Sequence, residues 1–499
     1  MLDTPEWTAR LKPRSPHALS KVRQLYLALY DCISNGQIPN GTLLPASRAL
    51  AAQLGVGRNT VIAAYNQLQD EQLVEGTGRS GTRVLFCPPQ QLKLKQRGAG
   101  QTPFGTRSAL AKRTGSAHTS GNTFNVLAPG MPDPQLFPNQ EWRRALAKAG
   151  RLNESRLGYV DRPLPELQNA IARHLAIYRS YSVNPQRIII TSGTRQSLNL
   201  AASLYTQSAQ QAWVESPGYR GAVDAFKLFG LDLSAMPIST EGCALPSQPE
   251  AMNPAMIYLT PCFQYPTGMA LSVKSRQEIL RFAASRHSVI FEDDYDSEFR
   301  NDSQARPAMA AEAEQMVQRG EFNPKTMTNP VILHAGTFSK LLFPAARVAW
   351  LVVPEEHIDT AHITLRALGG GHNTVAQATV AELLDNGSIS RHLTRARAVY
   401  QQRRHALIDA LNNSTAFKSS DYSGGSLSLV VPLRRAANRA QLMKNIHSAE
   451  LGVRDLDDFL WDRPPRRKIH ALVLGVGNVT SIDVAKTVKK LTHCVAQAI

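Results

Sequence analysis

The chain has 499 residues, 43% of them hydrophobic, and this composition excludes a disordered protein and predicts two or three domains. The formal net charge is +17, and residues 1–124 hold 15 of the 56 basic residues but 6 of the 39 acidic ones. No apolar run reaches the roughly 20 residues of a membrane span, and the N-terminus lacks a secretion-signal pattern, so we expect a cytoplasmic protein. The basic N-terminal part indicates a polyanionic partner, although a basic surface that only aids solubility fits the charge equally well.

The cysteines form neither a metal-binding nor a disulfide pattern. No CxxC motif occurs, so we expect no zinc site, no other metal and no disulfide framework. The five scattered residues are Cys32, Cys87, Cys243, Cys262 and Cys494.

Residues 15–86 have the pattern of three short helices followed by a β-hairpin. Helical spacing of apolar residues predicts helices over 21–34, 45–54 and 59–73, with a Gly-Val-Gly turn between the last two that is typical of a helix-turn-helix. The stretch VEGTGRSGTRVLF then places two strand-like segments around a glycine-rich turn, which predicts a β-wing. The buried face of the third helix would consist of Val61, Ala64, Tyr65 and Leu68.

Polar residues at the start of the third helix suit contacts with nucleic acid. A recognition helix enters the major groove with its N-terminal residues against the bases. Arg58 and Asn59 could contact base edges or phosphates, and Thr60 could contact a phosphate. Arg48, in the preceding helix, could reach the DNA backbone. The alternative is a plain helical hairpin with surface arginines.

The composition changes at residues 87–123, where Gly, Ser, Thr, Pro, Gln and basic residues dominate, and this predicts a flexible basic linker. Over 124–499, short strand-like runs alternate with helical segments, which predicts an α/β domain with a mostly parallel sheet. The predicted strands lie in RIIITSG, QAWVESP, AMIYLTP, SVIFEDDY and RVAWLVVP.

The segment HAGTFSKLLFPAARVAW, residues 334–350, places one lysine in apolar surroundings. Burial disfavours a charged amine, so we expect a lowered pKa at Lys340, and a partly neutral amine can form a Schiff base with an aldehyde. Thr337, Ser339 and Arg347 could hold a phosphate. An aldehyde cofactor that also carries a phosphate is pyridoxal 5′-phosphate (PLP). The alternative is a lysine that extends its amine to the surface at a helix start.

Other strand ends supply groups that fit the same cofactor. IFEDDYDSEF ends a strand in carboxylates, so Asp293 could face the ring nitrogen and Tyr295 the 3-hydroxyl. TSGTRQSLNLAA, residues 191–202, has a glycine turn at a helix start, where backbone N–H groups bind anions. Tyr219, after the turn in SPGYRG, could stack on a ring. Each segment is a weak indication alone, but all lie at strand ends of one α/β domain.

Two resemblances bring these segments together. LPASRALAAQLGVGRNTV, with GTGRSGTRV after it, resembles the GntR-type winged helix and implies DNA contacts from Arg48, Arg58, Thr60 and Gly81. APGMPDPQLFPNQEW, FEDDYDSEF and GTFSKLLFPAARVAWLVVP resemble fold type I aminotransferases. The whole chain resembles the MocR/GabR family of regulators. This implies an N-terminal winged helix-turn-helix joined by a long linker to an aminotransferase-like PLP domain.

The resemblance implies a role for each residue of the cofactor site. Lys340 would form the Schiff base with PLP, Asp293 would meet the ring nitrogen, Tyr295 the 3-oxygen and Tyr219 the ring face. Tyr159 would reach the phosphate of the partner subunit, because the active sites of this fold lie at the interface of a head-to-tail homodimer. The phosphate would lie among Ser192, Gly193, Thr194, Arg195, Thr337, Ser339 and Arg347.

The chain departs from the family pattern near this site. Arg195 replaces a usual glutamine, Phe263 a usual histidine and His334 a usual tyrosine. Val473 stands where aminotransferases carry the arginine that binds a substrate carboxylate, so an α-amino acid ligand is not assumed. The arginines that could take over this role are Arg220, Arg466 and Arg467.

Three functions fit these features. The first is a PLP-dependent transcriptional regulator that binds a double-stranded DNA operator and senses a small amine, an amino acid or PLP itself. The second is an active aminotransferase with an accessory DNA-binding domain, against which the missing carboxylate-binding arginine argues. The third is a regulator whose large domain is only a dimerisation scaffold and never binds PLP. The intact set of Lys340, Asp293 and Arg347 favours the first.

Overall fold

The computed structural model describes ten segments of the chain, and these fall into two compact units, Met1–Gly105 and Thr106–Ile499. The predicted linker at 87–123 and Tyr159 lie outside the described residues. The described segments are 20–77, 81–85, 125–151, 158, 160–207, 210–239, 242–300, 306–322, 329–418 and 427–499.

The N-terminal unit has three helices and a small antiparallel sheet of order β1-β3-β2. The predicted buried face of the third helix is confirmed, since Val61 and Ala64 are fully buried and Tyr65 and Leu68 lie beside them in the core. Strand β1, which pairs with β3, was not predicted. The elements are α1 (Lys21–Ser34), β1 (Leu43–Leu44), α2 (Ser47–Leu54), α3 (Arg58–Asp70), β2 (Val74–Gly76) and β3 (Thr82–Val84).

Three predicted helix boundaries in this unit were wrong. Helix α2 begins at Ser47 rather than at Pro45, whose carbonyl instead accepts a hydrogen bond from the Tyr65 hydroxyl at 2.8 Å. Helix α3 begins at Arg58, directly after the extended backbone of Gly57, and ends at Asp70. Gln72 has a φ of 57°, a left-handed conformation that cannot continue a helix. Arg58 is therefore a residue of the recognition helix itself.

The larger unit alternates helices and strands as predicted, and the expected α/β class is confirmed. Several of its helices have an N-terminal side-chain cap. Before the helix Thr374–Asp385, for example, the Asn373 side chain accepts a hydrogen bond from the Ala376 N–H at 3.0 Å. The strands are β4 (Ile188–Thr191), β5 (Gln211–Ser216), β6 (Asp232–Ser239), β7 (Gly242–Cys243), β8 (Met256–Leu259), β9 (Val289–Asp294), β10 (Val331–Thr337), β11 (Ala349–Val352), β12 (Ser428–Asn438), β13 (Arg454–Asp455) and β14 (Lys468–Gly475). The helices are α4 (Asn139–Ala149), α5 (Pro165–Arg179), α6 (Thr194–Tyr205), α7 (Arg220–Leu228), α8 (Val273–Arg286), α9 (Met309–Gln318), α10 (Ile358–Ala367), α11 (Thr374–Asp385), α12 (Ser388–Asn412), α13 (Arg439–Ser448) and α14 (Val484–Ala496).

An eight-stranded mixed sheet of order β4-β11-β10-β9-β8-β5-β6-β7 forms the centre of this unit. Its middle strands, from β10 to β6, pair in parallel, whereas β4, β11 and β7 join in antiparallel pairs. Parallel strands are covered on both faces, which is why their sequences are continuous apolar runs that could be predicted. The carboxyl ends of β5, β8, β9 and β10 meet at one edge, where ligand sites form in such sheets.

A second, three-stranded antiparallel sheet of order β12-β14-β13 packs with α12, α13 and α14 around its own apolar core. Backbone hydrogen bonds join the segment before α4 to this sheet. The Gly475 N–H, for example, donates to the Leu127 carbonyl at 2.7 Å. None of the described helices combines the length and apolar composition needed to cross a bilayer.

Candidate functional site

Lys340 lies three residues beyond β10, at the edge where the parallel strands end. The Lys340 residue as a whole is partly exposed, but its amine is buried. The amine donates a 2.5 Å hydrogen bond to the Gly130 carbonyl. Burial lowers the pKa of Lys340, while the carboxylates of Asp296 and Asp293 act in the opposite direction. An amine in these surroundings has a larger neutral fraction than an exposed lysine and is the more nucleophilic for it.

Asp293, near the end of β9, carries a buried carboxyl group with one unpaired oxygen. Oδ2 accepts a 2.7 Å hydrogen bond from the Tyr258 hydroxyl, whereas Oδ1 has no hydrogen-bond partner among the described residues. Burial raises the pKa of Asp293 to about 7, although the Tyr258 hydrogen bond acts to lower it. A buried acceptor without a donor is costly, and a ring N–H⁺ is the kind of donor that would satisfy it.

Three tyrosines border the same strand ends and contact one another edge to face. The Tyr265 ring lies 6.2 Å from that of Tyr219 and 5.8 Å from that of Tyr295. The Tyr295 hydroxyl donates to the Phe263 carbonyl at 2.9 Å. Tyr265 was not predicted as a site residue, although it follows the predicted strand AMIYLTP by four residues. The structure thus brings Tyr219 and Tyr295 together through a third aromatic residue.

The residues predicted to bind the phosphate fall into two groups. Arg347 donates from Nη2 to the Ser192 hydroxyl at 3.3 Å, and its guanidinium lies 3.3 Å from the point where a Cβ on Gly193 would stand. Helix α6 begins directly afterwards at Thr194, so its first N–H groups face the same place. In the second group, Thr337 donates to the Ser339 hydroxyl at 2.9 Å. Guanidinium, hydroxyls and a helix N-terminus together suit a phosphate.

Arg195, in the segment predicted to bind the phosphate, also contacts a second residue of the candidate site. Its guanidinium makes a hydrogen bond with the Tyr219 side chain. Burial nevertheless raises the pKa of Tyr219, so this phenol stays neutral. The departure at Arg195 therefore connects the start of α6 to Tyr219, the residue predicted to stack on the ring.

His334 belongs to a buried cluster of charged residues on the opposite face of β9 from Asp293. Side chains alternate along a strand, so Glu292 and Asp294 point away from Asp293. His334 Nδ1 lies 3.2 Å from Glu292 Oε2, and Arg179 Nε lies 2.6 Å from Asp294 Oδ2. Burial acts to raise the pKa of Glu292, but His334 and Arg179 lower it to about 2. No pattern in the sequence indicated this cluster.

The segment Phe459–Asp462, which lies between β13 and β14, forms hydrogen bonds with the turn that carries Tyr219. The Gly218 N–H donates to the Phe459 carbonyl at 3.0 Å, and the Trp461 indole N–H donates to the Glu215 carbonyl at 2.8 Å. Ser216 also donates to the Asp462 carboxylate. We name Phe459–Asp462 the clamp segment, because it fixes the position of the Tyr219 turn.

Two of the three candidate carboxylate-binding arginines, Arg220 and Arg466, are already engaged in other contacts, whereas Arg467 is exposed. Arg466 pairs with Asp457 through two nitrogens, at 2.8 and 3.0 Å. Arg220 donates to the Leu460 carbonyl at 3.3 Å. Val473 is fully buried in an apolar cluster. The described residues contain no group of three or more side chains arranged to hold a metal ion.

The candidate DNA-contacting residues lie at the surface of the N-terminal unit. Arg48, Arg58 and Asn59 are exposed, and Thr60 is partly exposed. Arg58 donates from Nε to the Ser47 hydroxyl at 3.5 Å, so the starts of α2 and α3 are neighbours. Gly81 has a φ of 106°, which the tight turn of the wing requires and which glycine adopts without strain.

Comparison with known families matches both units. Residues 21–84 match the model of the bacterial regulatory proteins of the gntR family, and residues 130–447 match that of the class I and II aminotransferases. The chain belongs to the MocR/GabR family of transcriptional regulators. The expected winged helix and fold type I aminotransferase architecture of this MocR/GabR regulator is thereby confirmed.

Relatives among known regulators cover most of the chain. The probable rhizopine catabolism regulatory protein MocR of Rhizobium meliloti is 28% identical over 450 residues, which is 89% of this chain and 88% of that protein. The pyridoxine biosynthesis transcriptional regulator PdxR of Corynebacterium glutamicum is 27% identical over 415 residues, or 83% of each. The regulator TauR of Rhodobacter capsulatus is 29% identical over 77% of this chain and 78% of that protein.

Solved structures match the aminotransferase-like unit. LysN, an α-aminoadipate aminotransferase of Thermus thermophilus complexed with N-(5′-phosphopyridoxyl)-L-leucine, has a TM-score of 0.64 and 25% identity, covering 74% of this chain and 92% of that one. A kynurenine aminotransferase of Pyrococcus horikoshii has a TM-score of 0.63 at 21% identity, covering 80% and 95% respectively, and shows the fold alone.

Proposed function

We propose that this MocR/GabR regulator carries PLP on Lys340 and senses a small amine, an amino acid or PLP itself, while its winged helix binds a double-stranded DNA operator. The observation that carries the proposal is that a buried amine at Lys340 and a buried carboxyl group at Asp293, whose Oδ1 has no hydrogen-bond partner among the described residues, lie at the same edge of the sheet. A lone lysine extended to solvent would not explain that arrangement. We further propose a cytoplasmic, head-to-tail homodimer in which Tyr159 reaches the partner's site.

The described residues fit PLP by chemistry. When bound, PLP supplies an aldehyde that reacts reversibly with primary amines and an electron-accepting ring. Asp293 would accept a hydrogen bond from the ring nitrogen and hold its proton, and Tyr219 would cover the ring face. Ser192, Gly193, Arg347 and the start of α6 would bind the phosphate.

Regulation requires that the protein have two conformations that bind the ligand with different affinities. The same two conformations must also bind DNA with different affinities. The clamp segment is a physical connection of the kind this needs, since it joins the Tyr219 turn to the sheet β12-β14-β13. The relatives named for rhizopine catabolism and pyridoxine biosynthesis are consistent with an amine or a B6 compound as the ligand.

The test is the visible absorption spectrum of the purified protein, recorded with added PLP before and after borohydride. We expect a coloured band that borohydride bleaches and that Lys340→Ala lacks, whereas Lys274→Ala, at an exposed helical lysine, keeps it. In mobility-shift experiments PLP or an amine should then change DNA affinity in the wild-type protein only. A protein that stays colourless with PLP would favour the scaffold function.

The same residues also support a second candidate, amino-group transfer. Lys340 and Asp293 meet at one sheet edge, as amino-group chemistry requires. This candidate needs multiple turnovers of transfer from an amine to a keto acid, measured by product accumulation. A single half-reaction, with one product per subunit, would leave the regulator function as the better account.

A further inference from the structure

A second cavity lies at the edge of the large sheet opposite the one beside Lys340. It has a volume of about 430 Å³ and is formed by helix α9, the start of β10 and the residues that follow β11. Strand β10 begins in this cavity at Val331 and ends at Thr337, three residues before Lys340. At roughly 3.3 Å per residue the strand spans about 20 Å, so the cavity is separate from the proposed PLP site.

The inner wall of the cavity is apolar apart from one phenol. Ala310, Ala313 and Ile332 are buried and line it. Tyr181 is only 1% exposed, and its hydroxyl accepts a hydrogen bond from Arg187 at 3.4 Å. Its own proton is accepted by none of the described residues, so the wall offers a buried hydrogen-bond donor to a ligand.

The charged side chains that line the cavity leave a negative charge. One arginine, Arg187, stands against two glutamates, Glu314 and Glu356. Arg187 is directed at protein groups, since its Nε donates to the Val353 carbonyl at 2.9 Å and its Nη1 to Glu314 at 3.4 Å. Glu356 has neither a hydrogen bond nor an ion pair with any described residue. This balance favours a cation over an anion.

The cavity rests on the strand that carries Asp293. The first two N–H groups of α9 donate to the carboxylate of Glu292, at 2.9 and 3.2 Å. Glu292 directly precedes Asp293 on β9. The Tyr181 ring also lies 5.8 Å from that of His334, whose Nδ1 is 3.2 Å from Glu292. Both α9 and Tyr181 are therefore supported by the cluster behind Asp293.

We propose that this cavity is a second ligand site, which binds a small organic cation: an ammonium group on an apolar body that also carries an oxygen acceptor. The ammonium would pair with Glu314 and Glu356, and the acceptor would take the proton of Tyr181. The buried alanines and Ile332 would cover the apolar body. The volume lies within the range of small-molecule sites. The site requires no PLP and is independent of the proposed sensing at Lys340.

Calorimetric titration of the full-length protein tests this proposal. The probe is N-[2-(dimethylamino)ethyl]benzamide, a tertiary amine that cannot form a Schiff base with PLP. Its matched control, N-(3-methylbutyl)benzamide, has a carbon in place of the charged nitrogen, and N-benzoylglycine carries a carboxylate instead. We expect the cation to saturate the protein below about 10 mM and to bind roughly tenfold more tightly than either control, from two partly exposed ion pairs of roughly threefold each.

Substitutions in the lining identify the site. Glu314→Gln and Glu356→Gln keep the shape of two exposed side chains and should each weaken binding of the cation roughly threefold, and the double variant should lose the preference for it. Tyr181→Phe should weaken the cation and its neutral control equally, because both carry the acceptor. Glu278→Gln removes a carboxylate from α8, outside the cavity, and should change nothing.

Several results would overturn the assignment. These are equal affinities for the cation and its neutral control in the wild-type protein, a preference that survives in the double variant, and a loss in Glu278→Gln as large as that in the double variant. Saturating PLP should leave the affinity unchanged, and displacement of the cation by PLP would place it in the cofactor site instead. If the protein takes up no PLP, the sensing function fails, and the titrations still decide the case for this cavity.

Discussion

At the scale of single residues, the candidate site is built from groups that are costly to bury alone. Asp293 is fully surrounded by protein, and only Oδ2 of its carboxyl group is hydrogen-bonded among the described residues. The amine of Lys340 is likewise buried, and it donates its hydrogen bond to a backbone carbonyl. Such groups reduce stability until a ligand pairs with them.

We expect Asp293→Asn to change the pH dependence of stability in the PLP-free protein. Burial raises the pKa of Asp293 to about 7, above its unfolded value, so the folded state keeps a proton that the unfolded state loses. The free energy of unfolding should then fall between about pH 4 and pH 7, by up to roughly 4 kcal/mol, and level off above. Denaturant titrations at pH 5 and pH 8 would measure this fall.

The asparagine variant should be less sensitive to pH and should bind PLP at least roughly tenfold more weakly, because an amide cannot pair with a charged ring nitrogen. Glu215 retains part of the pH dependence, since burial raises its pKa to about 7 as well. A variant with the full wild-type pH dependence would mean that Glu215, not Asp293, is responsible.

Arg347 combines a proposed phosphate contact with a strained backbone, and two substitutions can separate the two effects. Its φ of 53° lies in the left-handed region, which costs an L-residue about 1 kcal/mol and glycine almost nothing. Arg347→Ala and Arg347→Gly should lose PLP affinity equally, because both remove the guanidinium beside Ser192. Thermal unfolding should show the glycine variant to be the more stable. Unequal PLP affinities would argue against a role through the guanidinium.

At the scale of elements, helix α3 presents its first turn to solvent and buries its opposite face. Its side-chain spacing separates these two roles, since the buried residues recur at three- and four-residue intervals. Polar residues at the helix start are thus available for DNA without loss of core packing.

We expect Arg58→Ala to weaken DNA binding and to lower the slope of log affinity against log salt by about one, because one phosphate contact is lost. The measurement is a fluorescence titration at several salt concentrations, with a DNA fragment that the wild-type protein has selected from a random pool. Arg319→Ala removes an equal charge at an exposed position of the larger unit and should leave the slope unchanged. An unaltered slope in Arg58→Ala would contradict the proposed recognition helix.

At the scale of the whole molecule, one chain joins a winged-helix unit to an aminotransferase-like unit, and the proposed regulation requires that covalent connection. We expect a protease site inserted between Gly98 and Ala99, in the predicted linker, to leave DNA binding intact after cleavage but to abolish its response to PLP or amine. Mobility shifts on one sample before and after cleavage would show this. The uncleaved insertion protein is the control, and a response that survives cleavage would place the coupling outside the linker.

The sequence by itself determined the elements and the chemical types at the site. Helical spacing predicted the buried face of α3, and apolar runs predicted five strands of the large sheet, because periodicity is a local property of the chain. Lys340 and Asp293 could be singled out since a lone amine and a strand-end carboxylate are visible in short segments. The strand β10 and the pairing of β1 with β3 were not predicted.

Only the tertiary structure decided which groups meet. Tyr265 joins the aromatic residues, His334 joins Glu292 across two strands, and Arg454 stands opposite Val473. Each of these contacts joins residues that are distant in sequence, and strand register decides which side chains share a face. No local pattern encodes that register, so the sequence could indicate the missing arginine at Val473 but not which residue stands opposite it on the neighbouring strand.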